Sequence, residues 1–308
     1  MRVGVHTSIA GGVENAAHRA KEIGCDTFQM FSANPRGWKT LDPPPAACER
    51  FREAVARYGQ SPVIVHDNYL INLAAADLSI RKKSIAAFRR EIARAVALGA
   101  DYLVTHPGSA KATTTSKALA TCVDSLRQAA RGLPLNGLTI LIENTAGQGM
   151  AIGRTFEEVT EIISGAAQDL PVGACIDTAH CFAAGYPIHT PRGLAETLKQ
   201  LDSTVGLEKV RVIHANDSKT AFVALGPSPA HRPRPHRRGS LCADRAATEA
   251  RQDPVHLRDA DRPAGGRQAE PAPGTALGGS TALRVEGHGQ ACRMKSCVRN
   301  ANDRLQHR

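Results

Sequence analysis

No stretch of the 308-residue chain stays apolar over the roughly 20 residues that a membrane-spanning helix requires. The N-terminus, MRVGVHTS, opens directly on strand-like text without the pattern of a signal peptide. Together these absences lead to the expectation of a cytoplasmic protein with no membrane partner. Eight cysteines are present but none in CxxC spacing, so zinc held by thiolates is not supported. Cys25, Cys175 and Cys181 lie in or beside apolar runs, where a reduced, buried thiol is the usual state. No glycine-rich phosphate loop follows the first strand-like segment, which removes the main signal of a doubly wound nucleotide-binding sheet.

The net charge of +10 invites an anionic partner, but the excess is unevenly placed. Residues 223–308 hold 15 Lys+Arg against 8 Asp+Glu, leaving 24 against 21 for residues 1–222. Global charge is therefore poor evidence for nucleic-acid binding. The same 86 residues contain no Ile, Phe, Tyr or Trp, and Pro and Gly take 17 of the positions. Such a composition cannot build a strand-and-helix core and predicts an irregular or disordered tail. The chain divides accordingly into a domain at 1–222 and a tail at 223–308.

The first 220 residues alternate apolar strands with amphipathic helices. The strand-like segments are RVGVHTS, CDTFQMFS, PVIVHDN, DYLVTH, LTILIE, VGACID and VRVIH, and helical patterns separate them. Between residues 80 and 98, for example, Ile85, Phe88, Ile92 and Val96 fall at helical spacing with Arg and Lys opposite. Strands buried on both faces and joined by helices imply parallel pairing with right-handed crossovers. Seven such units predict a TIM (β/α)₈ barrel that is incomplete, with the functional groups on the loops at the C-terminal ends of the strands.

Those ends carry a recurring chemistry. His66 closes PVIVH, His106 closes DYLVTH, Glu143 closes LTILIE, Asp177 and His180 follow VGACI, and His214 closes VRVIH. A single His or Asp after a strand is usually a cap or a hydrogen-bonded residue. Independent caps have no reason to recur at the same phase of a repeated unit, and a closed ring would bring all six to one mouth. Imidazoles and carboxylates in that arrangement point to bound metal.

Beyond the strand ends, long motifs follow one another in order: GVHTSIAGG (4–12), FSANPRGW (31–38), VHDNYLINLA (65–74), THPGS (105–109), LIENTAGQG (141–149), CIDTAHCFAAGY (175–186) and HANDSK (214–219). This text resembles endonuclease IV, the zinc-dependent apurinic/apyrimidinic endonucleases of base-excision repair, over nearly all of residues 1–222. The resemblance implies a barrel mouth that binds three zinc ions. His66 and His106 match ligands of the most exposed ion, and Glu143 matches the carboxylate bridging it to the second. Asp177 and His214 match further ligands of the second ion, and His180 a ligand of the third. Arg36 and Tyr69 match residues that enter the DNA at the lesion. The implied partner is double-stranded DNA containing abasic sites, and the implied protein is a monomer. The implied reaction is hydrolysis 5′ to the abasic site, leaving a 3′-hydroxyl and a 5′-deoxyribose phosphate. Zinc suits it, because clustered metals lower the pKa of water and neutralise charge on the phosphate oxygens and leaving alkoxide.

The resemblance stops at the tail. The family continues with a DRHxHIGxGxIG motif that supplies an Asp and a His to the third zinc, and later with an ETP motif whose Glu completes the second. Neither is written here, and His231 and His236, in a Pro/Arg run, fix no replacement geometry. A shift of one base supplies a reason. Codons for VALGPSPAH (223–231) can be chosen so that the neighbouring frame reads SHLDRHRH, and the shift continued through Ser240 permits IGRGRIGAE. VHLRDADR (255–262) permits FI, one unmatched residue and ETPID. Both missing motifs return in one frame, in order and at the family's spacing, which marks the tail as out-of-frame text. With those ligands gone, at most two zinc ions and severely reduced incision are expected. Two other readings compete: a metal-dependent sugar isomerase or epimerase on the same kind of barrel, and an inactive product whose basic tail binds nucleic acid non-specifically.

Overall fold

The computed structural model describes residues 2–218, Phe222 and the backbone of 296–298. Strands and helices alternate as β1 (Arg2–His6), α1 (Asn15–Glu22), β2 (Thr27–Phe31), α2 (Pro45–Tyr58), β3 (Val63–His66), α3 (Leu78–Leu98), β4 (Tyr102–Thr105) and α4 (Thr115–Ala130). They continue as β5 (Thr139–Glu143), α5 (Phe156–Ala166), β6 (Val172–Asp177), α6 (Thr178–Ala184), α7 (Pro191–Thr204), β7 (Val210–His214) and β8 (Ser296–Val298). β1 to β7 pair in sequence order and in parallel. The seven βα-type strands are those expected from the sequence.

Two layers of side chains hold this sheet. Ile64, Val104, Leu141, Cys175 and Val212, one from each of five neighbouring strands, form a buried cluster inside the curl. Their neighbours in sequence, including Val63, Val65, Leu103, Ile140, Ile142, Ala174 and Ile176, face outward into the main core with Phe51, Phe88, Ile92, Leu126, Phe156 and Ile162 of the helices. Burial on both faces is why the strands read as unbroken apolar runs. Each fully buried Leu, Ile or Phe contributes about 1.5–3 kcal/mol through surface removed from water. Gly4 serves the β1–β2 contact, since a Cβ there would collide with the Thr27 carbonyl.

The sheet curls far enough that His214 at the end of β7 hydrogen-bonds Gln29 of β2, at 2.8 Å. That contact brings the two sides of the barrel mouth together. The incomplete barrel read from the sequence implies no eighth strand and unpaired edges on strands one and seven, and for strand one this needs correction. Instead β8 runs antiparallel to β1, with Val3 opposite Cys297. A strand edge is a row of backbone donors and acceptors, and satisfying it requires extended backbone rather than β-branched or aromatic side chains. β8 is not a βα unit, so the parallel repeat remains at seven. The rest of 223–308, including His231, His236 and the shifted motifs, lies outside the described residues.

The short helix α6 is absent from the sequence reading, which assigns no element to Thr178–Ala184. Asp177 starts it by accepting the backbone N–H of His180 at 2.8 Å, and Gly185 ends it with φ +104°. An Asp and a Gly bracketing a short, largely apolar stretch were the available signal.

Candidate metal centre

β3, β4, β5, β6 and β7 end at the same rim, and their last residues meet there. The carboxylate of Glu143, 1% exposed, is the centre. His214 Nδ1 lies 3.2 Å from its Oε1, His180 Nδ1 3.3 Å and His106 Nε2 3.6 Å from the same oxygen, and His66 Nε2 lies 3.3 Å from Oε2. Asp177 stands behind His214, its Oδ2 3.9 Å from Nδ1. All six strand-end residues singled out from the sequence are therefore in one constellation, with His66, Asp177 and His214 buried and His106 and His180 partly open. Among the described residues, three sets of ligand atoms are close enough to share an ion: His66, Asp67 and His106; His106, Glu143 and His180; and Glu143, Cys175 and His214.

Outer partners set the orientation of the rings. His66 Nδ1 bonds the backbone oxygen of Asp67 at 2.9 Å, leaving Nε2 toward Glu143. Thr105 donates to Asp67 Oδ2 at 2.5 Å. Asn144 ties three pieces together: its Oδ1 accepts the Asp177 N–H at 2.6 Å, its Nδ2 donates to the Asp177 carbonyl at 3.3 Å, and its own carbonyl meets His180 Nδ1 at 2.8 Å. Asn216 Nδ2 donates to Asp177 Oδ2 at 2.6 Å. The sequence reading missed Asp67, Asn144 and Asn216 as orienting groups, although each lies within two residues of a singled-out ligand. It also missed Gln29, whose signal was a polar residue interrupting an apolar strand, and His6, which closes its strand as the other histidines do.

The electrostatics follow from burying one carboxylate among imidazoles. Burial disfavours the Glu143 charge, but His214 and His106 outweigh it and hold the carboxyl well below its usual range. His66 and His180 show the reverse balance: burial opposes their charge, while Glu143 and the neighbouring Asp67 or Asp177 raise each to about 9. Burial, reinforced by His66 and His214, pushes His6 down to about 3. Asp67 rises to about 8, mainly through burial.

A pH dependence of the metal-free chain follows. A histidine whose folded pKa is raised contributes stability that is complete below its unfolded pKa, near 6.5, and that is lost as pH rises through the folded value. Chelator-treated protein is therefore expected to show a denaturation midpoint that falls between pH 6.5 and 9. A His66→Gln, His180→Gln variant should lose most of that slope, keeping only the part up to about pH 8 that the raised Asp67 carboxyl contributes in the same direction, and an unchanged slope would contradict the assignment.

Beside the metal-type cluster, a cleft of about 420 Å³ is lined by His6, Phe31, Asn34, Arg36 and Tyr69, among others. Arg36 is exposed, and Tyr69 is 49% exposed with its ring 5.2 Å from Phe31 and 5.7 Å from His66. Asn68 holds the Arg36 loop by donating to the carbonyls of Asn34 at 3.2 Å and Gly37 at 2.7 Å. The structure thus places Arg36 and Tyr69 on one cleft and joins it to the cluster through Tyr69 and His6, which line both cavities.

Fold and site together define a TIM-barrel protein that gathers metal-type ligands at the C-terminal mouth of its strands. Residues 17–247 match the family model described as Xylose isomerase-like TIM barrel. The probable endonuclease 4 of Solibacter usitatus (strain Ellin6076) is 47% identical over 221 residues, covering 71% of this chain and 76% of that protein. The crystal structure of endonuclease IV from Thermus thermophilus superposes with a TM-score of 0.63 at 36% identity, covering 72% of this chain and 78% of that one. A D-tagatose 3-epimerase-like protein, at 22% identity and a TM-score of 0.52 over 70% of this chain and 76% of its own, shares the fold. The chain belongs to the endonuclease 4 family. Among the described residues no helix is long and apolar enough to cross a membrane.

Proposed function

We propose that this chain is a zinc-dependent nuclease that acts on double-stranded DNA at abasic sites, hydrolysing the phosphodiester on the 5′ side to leave a 3′-hydroxyl and a 5′-deoxyribose phosphate. The observation that carries this reading is the convergence of His66, His106, His180 and His214 on the buried Glu143, beside a cleft that presents Arg36 and Tyr69. The donor set fits zinc: imidazole nitrogens and carboxylate oxygens are its ordinary ligands, and His66, whose Nδ1–H is taken by the Asp67 carbonyl, turns an Nε2 lone pair toward Glu143 that calls for a cation or a proton between them.

In this reading His66 and His106 would hold one ion, Glu143 would be shared between it and a second, and Asp177 and His214 would complete what the described residues offer the second. His180 is the described residue left for a third, so at most two ions are held firmly. When bound, zinc supplies positive charge that lowers the pKa of water and offsets the charge on the phosphate oxygens and the leaving alkoxide. The chain's own residues do the rest. Glu143, the catalytic carboxylate, keeps its charge under burial and sets the separation of the two ligand groups. Asp67 and Asn144 fix the rings of His66 and His180, the kind of outer support whose loss typically weakens metal affinity about 10–100-fold. Arg36 offers a fixed positive charge to a backbone phosphate, and Tyr69 offers a ring face beside the strand-end cluster.

The test is incision of a duplex carrying one abasic site, run beside metal analysis of the same preparation. Weak, chelator-sensitive cleavage on the 5′ side, absent from the intact duplex, is the expected result. Equal, salt-sensitive binding of both duplexes without incision would overturn it in favour of a non-specific nucleic-acid binder.

A further inference from the structure

A chain of hydrogen bonds runs away from the metal-type cluster and ends on an atom with no partner among the described residues. His214 Nε2 meets Gln29 Oε1 at 2.8 Å, and Gln29 Nε2 meets His6 Nδ1 at 3.1 Å. His6 Nε2, at the far edge of the ring, is buried and has no hydrogen-bond partner among the described residues. The direction of donation along this chain is set at its first link. The Gln29 carbonyl oxygen can only accept, so His214 Nε2 carries the proton and donates to it. The Gln29 amide N–H₂ then faces His6 Nδ1, which can only accept, so the single ring proton of a neutral His6 sits on Nε2. A buried N–H without an acceptor is costly, by far more than a satisfied one contributes.

The place of that N–H suggests what satisfies it. His6 lines the cavity of the strand-end cluster and also the cleft of Arg36 and Tyr69, standing at the seam between them. Its ring packs on Phe31 with centroids 4.4 Å apart, which fixes its plane. A strand residue held on one edge by an amide and on one face by an aromatic ring is a rigid donor rather than an adaptable one.

We infer that His6 is a substrate-contacting residue that donates its Nε2–H to an oxygen of the abasic nucleotide's sugar-phosphate, and that Gln29 is a positioning residue that holds His6 in this tautomer. The inference takes its substrate from the proposed function, whereas the tautomer follows from the hydrogen-bond chain alone. A neutral donor suits the seam, because it recognises an oxygen without placing a further cation beside the ions.

Two measurements on the zinc-loaded full chain test it. Nitrogen-15 NMR of the histidine rings should show His6 as the neutral Nε2–H tautomer, and Gln29→Glu, which can only accept, should move the proton to Nδ1. A charged His6 or an Nδ1–H tautomer in the unsubstituted chain would overturn the positioning role. In binding, His6→Phe, which keeps the ring and loses the donor, should weaken affinity for a duplex with one tetrahydrofuran abasic residue roughly tenfold, as for a lost hydrogen bond to an ionic oxygen. Affinity for the intact duplex should not change. His6→Gln, whose amide reaches the Nε2 position, should retain the preference, whereas His6→Asn, which reaches only the Nδ1 position, should not. Equal losses on both duplexes, or none, would overturn the substrate contact. An unsubstituted chain that does not distinguish the two duplexes would overturn the proposed function and the substrate contact with it, leaving the tautomer to be judged by NMR.

Discussion

Glu143→Gln should lose the bridged metal pair: zinc analysis after dialysis is expected to fall from two ions per chain to one or none, and incision should disappear. The substitution preserves volume, so the packing around β5 is kept while the charge facing four imidazoles is removed. Loss of an outer partner typically costs 10–100-fold in affinity, and loss of a shared ligand should cost more than about a hundredfold because it weakens two sites at once. In the metal-free chain His66 and His180 are held near 9 chiefly by this carboxylate working against burial, so in the metal-free variant both should return to neutral at pH 7. Zinc retained at full stoichiometry with incision intact would show that Glu143 is not the bridge.

Restoring the reading frame immediately after Phe222 should raise the zinc content from at most two ions to three and increase abasic-site incision by orders of magnitude. The count rests on ligands. His180 already stands at the rim, with its Nδ1 3.3 Å from Glu143, but one histidine does not hold zinc, which normally takes three or four protein ligands. The shifted frame supplies an Asp and a His through DRHRH and a Glu through ETPID, the former completing the third site and the latter the second. Phe222 itself packs with its ring 5.2 Å from Phe182 of α6 and 4.8 Å from His189. Metal analysis and incision on the two chains, prepared identically, decide the matter. Three tightly bound ions in the chain as written, with incision no faster after repair, would remove the case for a frame change.

Much of this protein was legible in its sequence because parallel strands buried on both faces leave an unusually plain record. Apolar runs such as LTILI and VGACI, each ending in a chemically distinctive residue, mark both the strand and the end of it that matters. The long motifs then identified the family without any geometry. α6 was not legible, because a seven-residue helix is too short to show a period and depends on the Asp177 cap. β8 was not legible for a different reason: pairing along β1 uses backbone groups, which no side-chain pattern announces.

The sequence by itself determined the seven parallel strands with the helices between them, the six strand-end candidates and the family, since these depend on local periodicity and on residue identity at fixed spacing. Only the tertiary structure decided which atoms meet. Curling of the sheet brings His214 of β7 against Gln29 of β2, 185 residues apart in the chain, and no local signal encodes that contact. It likewise made Glu143, rather than Asp177, the carboxylate on which four imidazoles converge, because β5 lies between the strands that deliver them. Distances across a barrel mouth depend on strand register and curl, properties of the whole sheet that no single strand carries.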